Sequence, residues 1–334
     1  MTWTNRRTGK TLLLLLITCI VFLSLISNLF LGSYSYNTLR KSYLKTDQEK
    51  CSQANEIERI ENFDTTIVIN TSLIKTHPSL EMFNATFDSL RYLHGLPPKT
   101  PIVITIDGLL SEKRYKYKPN DNKENKMKLQ EYVRRLRLKF KNDKHVTILH
   151  SYESGLLTVN LKMAMEHVET KYVFVIQHDL RFIHDVNYTA LLRSMEENPD
   201  TLNIVRFHQR KNIVASAFKM LKEPEGKKNC TSIFRDEKNG LEFVPQVFSD
   251  QNHLTTTKYY KWMLDMMGDS PRFMETVMLN AIAKYPTECR TFGQWLYGPP
   301  GSGPYIEHMD GQRSNGLSPT NSSSILLNRT IAPF

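Results

Sequence analysis

Apolar positions fall into three regimes along the chain. From Thr11 to Leu31, TLLLLLITCIVFLSLISNLFL, 21 residues pass without a charge; as a helix rising about 1.5 Å per residue this run reaches about 31 Å, one bilayer core. Arg6, Arg7 and Lys10 precede it with no acid before them, so the positive-inside rule predicts a cytosolic tail at 1–10, a signal anchor at 11–31, and the rest of the chain across the membrane. A cleaved signal peptide is the competing reading, but the run is longer than such a core and no A-x-A-like site follows it. Residues 32–62 are polar and without apolar period, as in a stem between membrane and domain.

From residue 63 the pattern changes to short β-branched runs alternating with helical spacing. TTIVIN at Thr65–Asn70, PIVITID at Pro101–Asp107 closed by Gly108, HVTILH at His145–His150 and KYVFVIQHD at Lys171–Asp179 read as buried strands. Between them, apolar residues at 83, 87, 90 and 93, then Leu129, Val133, Leu136 and Phe140 in the segment 123–141, then the stretch Leu156–Val168, read as helices. Such alternation predicts an α/β fold: an open, mostly parallel sheet flanked by helices. Ligands bind beyond the C-terminal ends of strands in such sheets, so the residues of interest are Asn70–Ser72, Asp107 and Gly108, His150–Tyr152, and His178 with Asp179. The second half is less regular. LNIVRFH at 202–208 suggests a strand, Thr257–Met267 and Glu275–Lys284 helices, and GPPGSGP at 298–304 a loop. The domain is placed at 63–318, in halves 63–180 and 181–318, with a flexible tail at 319–334.

Composition narrows the class. With 334 residues, 40% of them hydrophobic and 23% charged, the chain has enough apolar content for a full core, which excludes a wholly disordered or collagen-like protein. A single long apolar run excludes a multi-span membrane protein. Sequons at Asn70, Asn84, Asn187, Asn229, Asn321 and Asn328 suit a lumenal destination, in the Golgi apparatus or endoplasmic reticulum. Of the net charge of +10, Arg6, Arg7 and Lys10 are cytosolic, and the +7 left in the lumen points to anionic glycans, lipid headgroups or nucleotides rather than to nucleic acid. Cys19 lies in the apolar run, Cys230 and Cys289 are the candidate internal disulfide, and Cys51 in the stem is left for an intermolecular bond, as in a disulfide-linked homodimer, or for none.

The order of anchor, stem, IVIN strand, IVITIDG strand and an apolar strand ending in a short acidic motif resembles lumenal glycosyltransferases of the GT-A fold, over roughly residues 64–312. The resemblance implies transfer of a sugar from a nucleotide-sugar donor, a UDP-sugar in the first instance, to a hydroxyl of a glycan or glycoprotein. It implies a divalent cation, Mn²⁺ or Mg²⁺, held at an Asp-x-Asp motif. Here that place is taken by Gln177-His178-Asp179, with one carboxylate instead of two. By the same resemblance Asp107, with Gly108 letting the backbone approach, contacts the nucleotide, and Thr71 lines its cleft. His308 completes the metal shell or touches the diphosphate, Arg313 pairs phosphate, and the 298–304 loop is a mobile lid.

A base must also deprotonate the acceptor hydroxyl. Glu275, in the first turn of an apolar helix where the dipole favours an anion, is the first candidate and Asp250 the second, and the resemblance implies inversion at the anomeric carbon. His253 and Tyr259 either line the acceptor pocket or belong to the core. Ordinary alternatives stand beside each of these. Asp179 can be a turn cap, Asp107-Gly108 a generic turn, and Glu275 a helix-dipole charge. The basic segment Lys113–Lys144 reads as the solvated face of an amphipathic helix or as a surface for an anionic membrane or acidic acceptor. Two rival functions remain: a catalytically inactive relative that binds glycans or assists an active transferase, which Gln177 favours, and a sulfotransferase, for which no basic, hydroxyl-bearing loop follows the first strand.

Overall fold

A computed structural model of the chain describes residues 65–112, 119–213, 232–268, 274–284 and 294–309. The chain divides into two compact units, Met1–Glu61 and Asn62–Phe334, and the described residues all lie in the second. The expected anchor at 11–31, the stem, all four cysteines, Arg313 and the tail lie outside the described residues. No helix among the described residues is long and apolar enough to cross a membrane.

The first half follows the alternation read from the sequence. Strand β1 (Thr65–Thr71) is followed by helix α1 (Glu81–Asp88), a 3-10 turn (Ser89–Tyr92), the two-residue β2 (Leu93–His94) and β3 (Ile102–Ile106). Helix α2 (Lys123–Lys139), β4 (Val146–His150), α3 (Leu156–Met165) and β5 (Tyr172–Gln177) complete it. β1 sits between β3 and β5, parallel to both, with Ile67 opposite Ile102 on one side and Phe174 on the other. Ile67, Val68 and Ile69 are buried, and covering by helices is why this strand is continuously apolar instead of alternating.

After β5 the chain runs through β6 (Leu180–Phe182), β7 (Val186–Asn187), α4 (Tyr188–Glu197), β8 (Ile204–Arg206), β9 (Phe234–Asp236), β10 (Leu241–Gln246) and β11 (His253–Thr256). Helices α5 (Thr257–Met266) and α6 (Met274–Lys284) and strands β12 (Gln294–Tyr297) and β13 (Ile306–His308) follow. Among the described residues the main sheet has the order β4-β3-β1-β5-β11-β8-β12-β10-β9. Every strand in it points with β1 except β11 and β10, which run against their neighbours. The sheet is therefore mixed, with most strands in one direction. The reversed strand β11 and the small β6/β13 pair are absent from the sequence reading because HLTT, LRF and IEH carry no period that sets them apart from loop, and the reversed β10, LEFVPQ, is absent from it too. Phe207 joins the halves, packing against Phe174, Phe182 and Tyr297 at ring separations of 5.5, 5.2 and 5.4 Å.

Candidate functional site

Beyond the C-terminal end of β5 the backbone turns sharply and returns as β6. His178 N–H donates to Asn70 O at 3.0 Å, which fixes this turn against the end of β1. β13 pairs antiparallel with β6 and sets His308 opposite Leu180, and Met309 N–H donates to Asp179 O at 2.9 Å. This register brings together two residues 129 positions apart: Asp179 Oδ2 lies 3.3 Å from His308 Nε2, with the side chains 14% and 29% exposed. The other carboxylate oxygen, Oδ1, is buried with no hydrogen-bond partner. Two adjacent ligands about 2.1 Å from an octahedral cation sit about 3.0 Å apart, so this pair and the orphaned oxygen fit a small hard divalent cation. Among the described residues no group of three His, Cys, Asp or Glu could hold a metal; the rest of a shell there would come from substrate oxygens and water.

Gln177, placed by the resemblance at a metal ligand's position, is committed elsewhere. Its side-chain Nε2 donates to Asp250 O at 2.7 Å, while its backbone N–H donates to Asn252 Oδ1 at 3.0 Å. Asn252, fully buried, in turn donates from Nδ2 to Leu180 O at 2.7 Å. The segment 250–252 is thus stitched to the turn that carries Asp179. Next to it, Ser249 is clamped by Gln294, which accepts from Ser249 N–H and donates to Ser249 O, each at 2.8 Å. Ser249 Oγ donates to Glu275 Oε1 at 2.7 Å, and Asp250 N–H reaches the same oxygen at 3.4 Å.

The two candidate bases are therefore one constellation. Burial, reinforced by the Glu275 carboxylate and a hydrogen bond with it, pushes Asp250 up to about 7. Glu275 receives the hydroxyl and amide donors. Arg206 is the counter-charge: it is 4% exposed, its Nη1 donates to Gln251 Oε1 at 3.3 Å, and its Nε has no hydrogen-bond partner. Burial lowers Arg206 to about 10, against the attraction of Glu275 and Asp250, and it stays a cation. Sequence reasoning passed over Arg206. The signal was present, since an arginine inside the apolar run LNIVRFH has to be paired when the strand is buried.

At the same strand-end edge, on the β3–β1 side, three residues expected at the nucleotide are engaged within the chain. Asp107 accepts from Ser154 Oγ at 2.9 Å, Gly155 N–H at 2.9 Å and Asn160 Nδ2 at 2.7 Å. Its carboxylate is buried in these internal bonds and holds the loop that enters α3, where Leu156 is left-handed at φ 55. Gly108 does permit a close approach, but of its own chain: a Cβ there would lie 2.5 Å from the carbonyl carbon of Glu153. Thr71 is buried, its hydroxyl 3.0 Å from that of Tyr132. Tyr132 is stacked on His77 at 3.8 Å, and burial, with His178 nearby, lowers His77 to about 3.

The loop 298–304, expected as a lid, is held in this conformation by Asn212. Asn212 Nδ2 donates to Tyr297 O at 2.7 Å and Gly298 O at 3.1 Å. Asn212 N–H donates to Ser302 O, and Gly301 N–H to Asn212 O, both at 2.7 Å. His253 and Tyr259 are buried and belong to the core. His253 Nδ1–H donates to Gln251 O at 2.6 Å, and burial lowers this histidine to about 4.

No protein-family model matches the chain, and no curated protein sequence matches it. Solved structures do. The S. aureus TarS fragment 1–349 aligns with a TM-score of 0.38 at 10% identity, over 74% of this chain and 60% of that one. The mannosyltransferase PcManGT of Pyrobaculum calidifontis, in complex with GDP-Man and Mn²⁺, aligns with a TM-score of 0.40 at 13% identity, over 81% and 63%. A 4-diphosphocytidyl-2C-methyl-D-erythritol synthase of Anaerococcus prevotii aligns at 0.39 and 10%, over 76% and 94%. The chain thus spans less than two thirds of the first two, and likenesses this distant do not reach the chemistry of a site.

Proposed function

We propose that the chain is a nucleotide-sugar-dependent glycosyltransferase that acts on a hydroxyl of a glycan or glycoprotein, of hexosyl or N-acetylhexosaminyl type. One arrangement carries this reading: the Asp179–His308 pair and the Glu275–Asp250–Arg206 constellation lie at the same end of the sheet, joined by Gln177 and Asn252. A small divalent cation held by Asp179 and His308, Mn²⁺ or Mg²⁺, would supply charge neutralisation for a departing diphosphate. The chain's own part is positioning and proton transfer. Glu275 takes the acceptor proton as the acceptor oxygen bonds to the anomeric carbon and the bond from that carbon to the diphosphate oxygen breaks, inverting its configuration. Asp250, holding a proton, spares Glu275 a second adjacent anion, and Arg206 balances the charge of the pair.

The cellular setting belongs to the same proposal: a type II chain held in the Golgi or endoplasmic reticulum membrane by residues 11–31, its domain lumenal, with Cys51 available for a disulfide between two copies. A second reading, a catalytically inactive relative, is favoured by Gln177, whose amide is spent on Asp250 O. Calorimetry on the full chain with UDP, GDP and CMP, each with Mn²⁺ and with EDTA, separates the two. Metal-dependent binding of one nucleotide, lost in Asp179→Ala and in His308→Ala, is the expected result; a folded protein that binds none of them sinks the transferase reading.

A further inference from the structure

Helix α2 offers a surface that the proposed reaction does not use. Leu129, Tyr132, Val133 and Leu136 bury one face of it. On the opposite face stand Met127 and Leu138, 61% and 55% exposed. They are eleven residues apart, three turns of helix with a residual rotation of about 20°, so they align along the outermost line. Lys123–Lys139 carries seven cations against the carboxylates Glu124 and Glu131; Lys126 pairs with Asp121 and Lys139 lies over Phe87 and Phe140, and the other five stand nearer that line. Both acids are neutralised within the helix: Glu124 pairs with Lys128 at 2.6 Å, and Glu131 with Arg134 at 2.7 Å and Arg135 at 2.8 Å.

A face made only for water tolerates scattered apolar side chains but does not call for two aligned at its crest among cations. One that binds nucleic acid or an acidic protein needs the cations but not the two apolar residues between them. Apolar crest and cationic flanks together match the layering of a phospholipid surface, acyl chains below and anionic headgroups beside. Past the C-terminal end of this line lies an open depression of about 670 Å³. Thr76, Ser79, Arg135 and Lys139 are among the residues lining it, beside Pro78 and Leu80; Arg135 also bonds Glu131 and Pro78 O, and hydroxyls with cations are groups that receive a phosphate headgroup.

We infer that the outer face of α2 docks on an anionic phospholipid surface, with Met127 and Leu138 entering the headgroup layer and the flanking Lys and Arg side chains holding headgroup phosphates. Tyr132, on the inner face of the same helix, touches Thr71 at the end of β1, so docking would set the nucleotide end of the sheet at a fixed distance from the bilayer. This inference stands apart from the transferase reading, because none of the docking residues lies at the strand ends.

The test uses the full chain in nanodiscs of phosphatidylcholine, with and without about a third phosphatidylserine, carrying Met127→Trp or Leu138→Trp. The unmodified chain supplies the background of Trp3, Trp262 and Trp295. The added tryptophan is expected to shift its emission to the blue and to be quenched severalfold by brominated acyl chains only where phosphatidylserine is present, with reversal in 1 M salt, where screening acts within about 3 Å. Adding Arg134→Glu and Arg137→Glu is expected to abolish the shift while thermal unfolding and nucleotide binding stay unchanged. A tryptophan that stays water-accessible on both discs overturns the inference, as does capture of the helix by a soluble polyanion such as heparin without any lipid contact. Loss of nucleotide binding in every protein, with the lipid response intact, would count against the transferase reading alone.

Discussion

Gln177 and Asp250, 73 positions apart, are joined by a 2.7 Å hydrogen bond from the glutamine side-chain amide to the aspartate main-chain oxygen. The bond runs between the strand that leads to Asp179 and the loop that carries Asp250. It explains why an amide stands where the resemblance places an acid: a carboxylate there would face a carbonyl with no proton between them.

Restoring the acid should therefore harm the protein instead of completing a metal site. Gln177→Asp is expected to lower stability by about 1–3 kcal/mol, the cost of leaving a partly buried acceptor unpaired, and to weaken Mn²⁺-dependent nucleotide binding. Thermal unfolding and calorimetry measure both. A variant with unchanged stability and tighter metal binding would show that Gln177 merely occupies a ligand's place.

Asp107 was read from the sequence as a nucleotide contact, and its three internal donors predict another phenotype. Asp107→Asn keeps the shape but can no longer accept from Ser154, Gly155 and Asn160 together. A loss of about 2 kcal/mol in stability is expected, with nucleotide affinity reduced in proportion to the loosening of the 151–156 loop. Denaturant unfolding at saturating nucleotide checks this; a stable variant that has lost binding would return Asp107 to the donor site.

These two cases show what was legible in the sequence. The elements of the first half could be read because buried parallel strands such as TTIVINT are continuously apolar, and the strand-end rule then pointed at Asp179. What a carboxylate or amide does at a strand end could not be read, because that depends on which donors a distant loop brings to it. The juxtaposition of Asp179 with His308 required the register of β6 against β13, two strands of three residues each. Asn252 was hidden for the same reason, since its partner Leu180 comes from β6, and for Arg206 the sequence signalled a need for pairing but not the partner, Gln251 in the loop before β11.

The sequons give a test of the lumenal placement. Among those on described residues, Asn70 sits in β1 with Oδ1 accepting from Thr105 Oγ1 at 3.0 Å, and Asn84 has its Oδ1 buried. Asn187 is exposed, and its Oδ1 caps α4 by accepting from Ala190 N–H at 3.0 Å, leaving Nδ2 as the atom for a glycan. Glycosidase treatment of the chain made in a secretory host is expected to give a mobility shift that Asn187→Gln reduces by one glycan and that Asn70→Gln and Asn84→Gln leave alone. An unglycosylated chain would count against the lumenal reading.

The acid pair makes the most specific prediction. In the folded chain Asp250 holds its proton up to about pH 7, whereas in the unfolded chain it releases it near the ordinary value of 3.8. Between those two values the native state binds more protons, so this group's contribution to stability is complete below about pH 4 and declines as the pH rises to 7. Asn mimics the protonated form, so the stability of Asp250→Asn relative to the unaltered chain should grow across that interval. His77 and His253, both lowered by burial, impose the opposite slope, but on both proteins, so they cancel in the difference. Catalysis should divide the pair differently. Glu275→Gln removes the base and is expected to cost 10²- to 10⁴-fold in donor turnover at every pH, while Asp250→Asn is expected to stay within about threefold at pH 6 and to lose the change in rate near pH 7. Unfolding curves from pH 4 to 8 and donor hydrolysis over the same range measure the two effects; an Asp250→Asn variant as inactive as Glu275→Gln at pH 6 would make Asp250 the base.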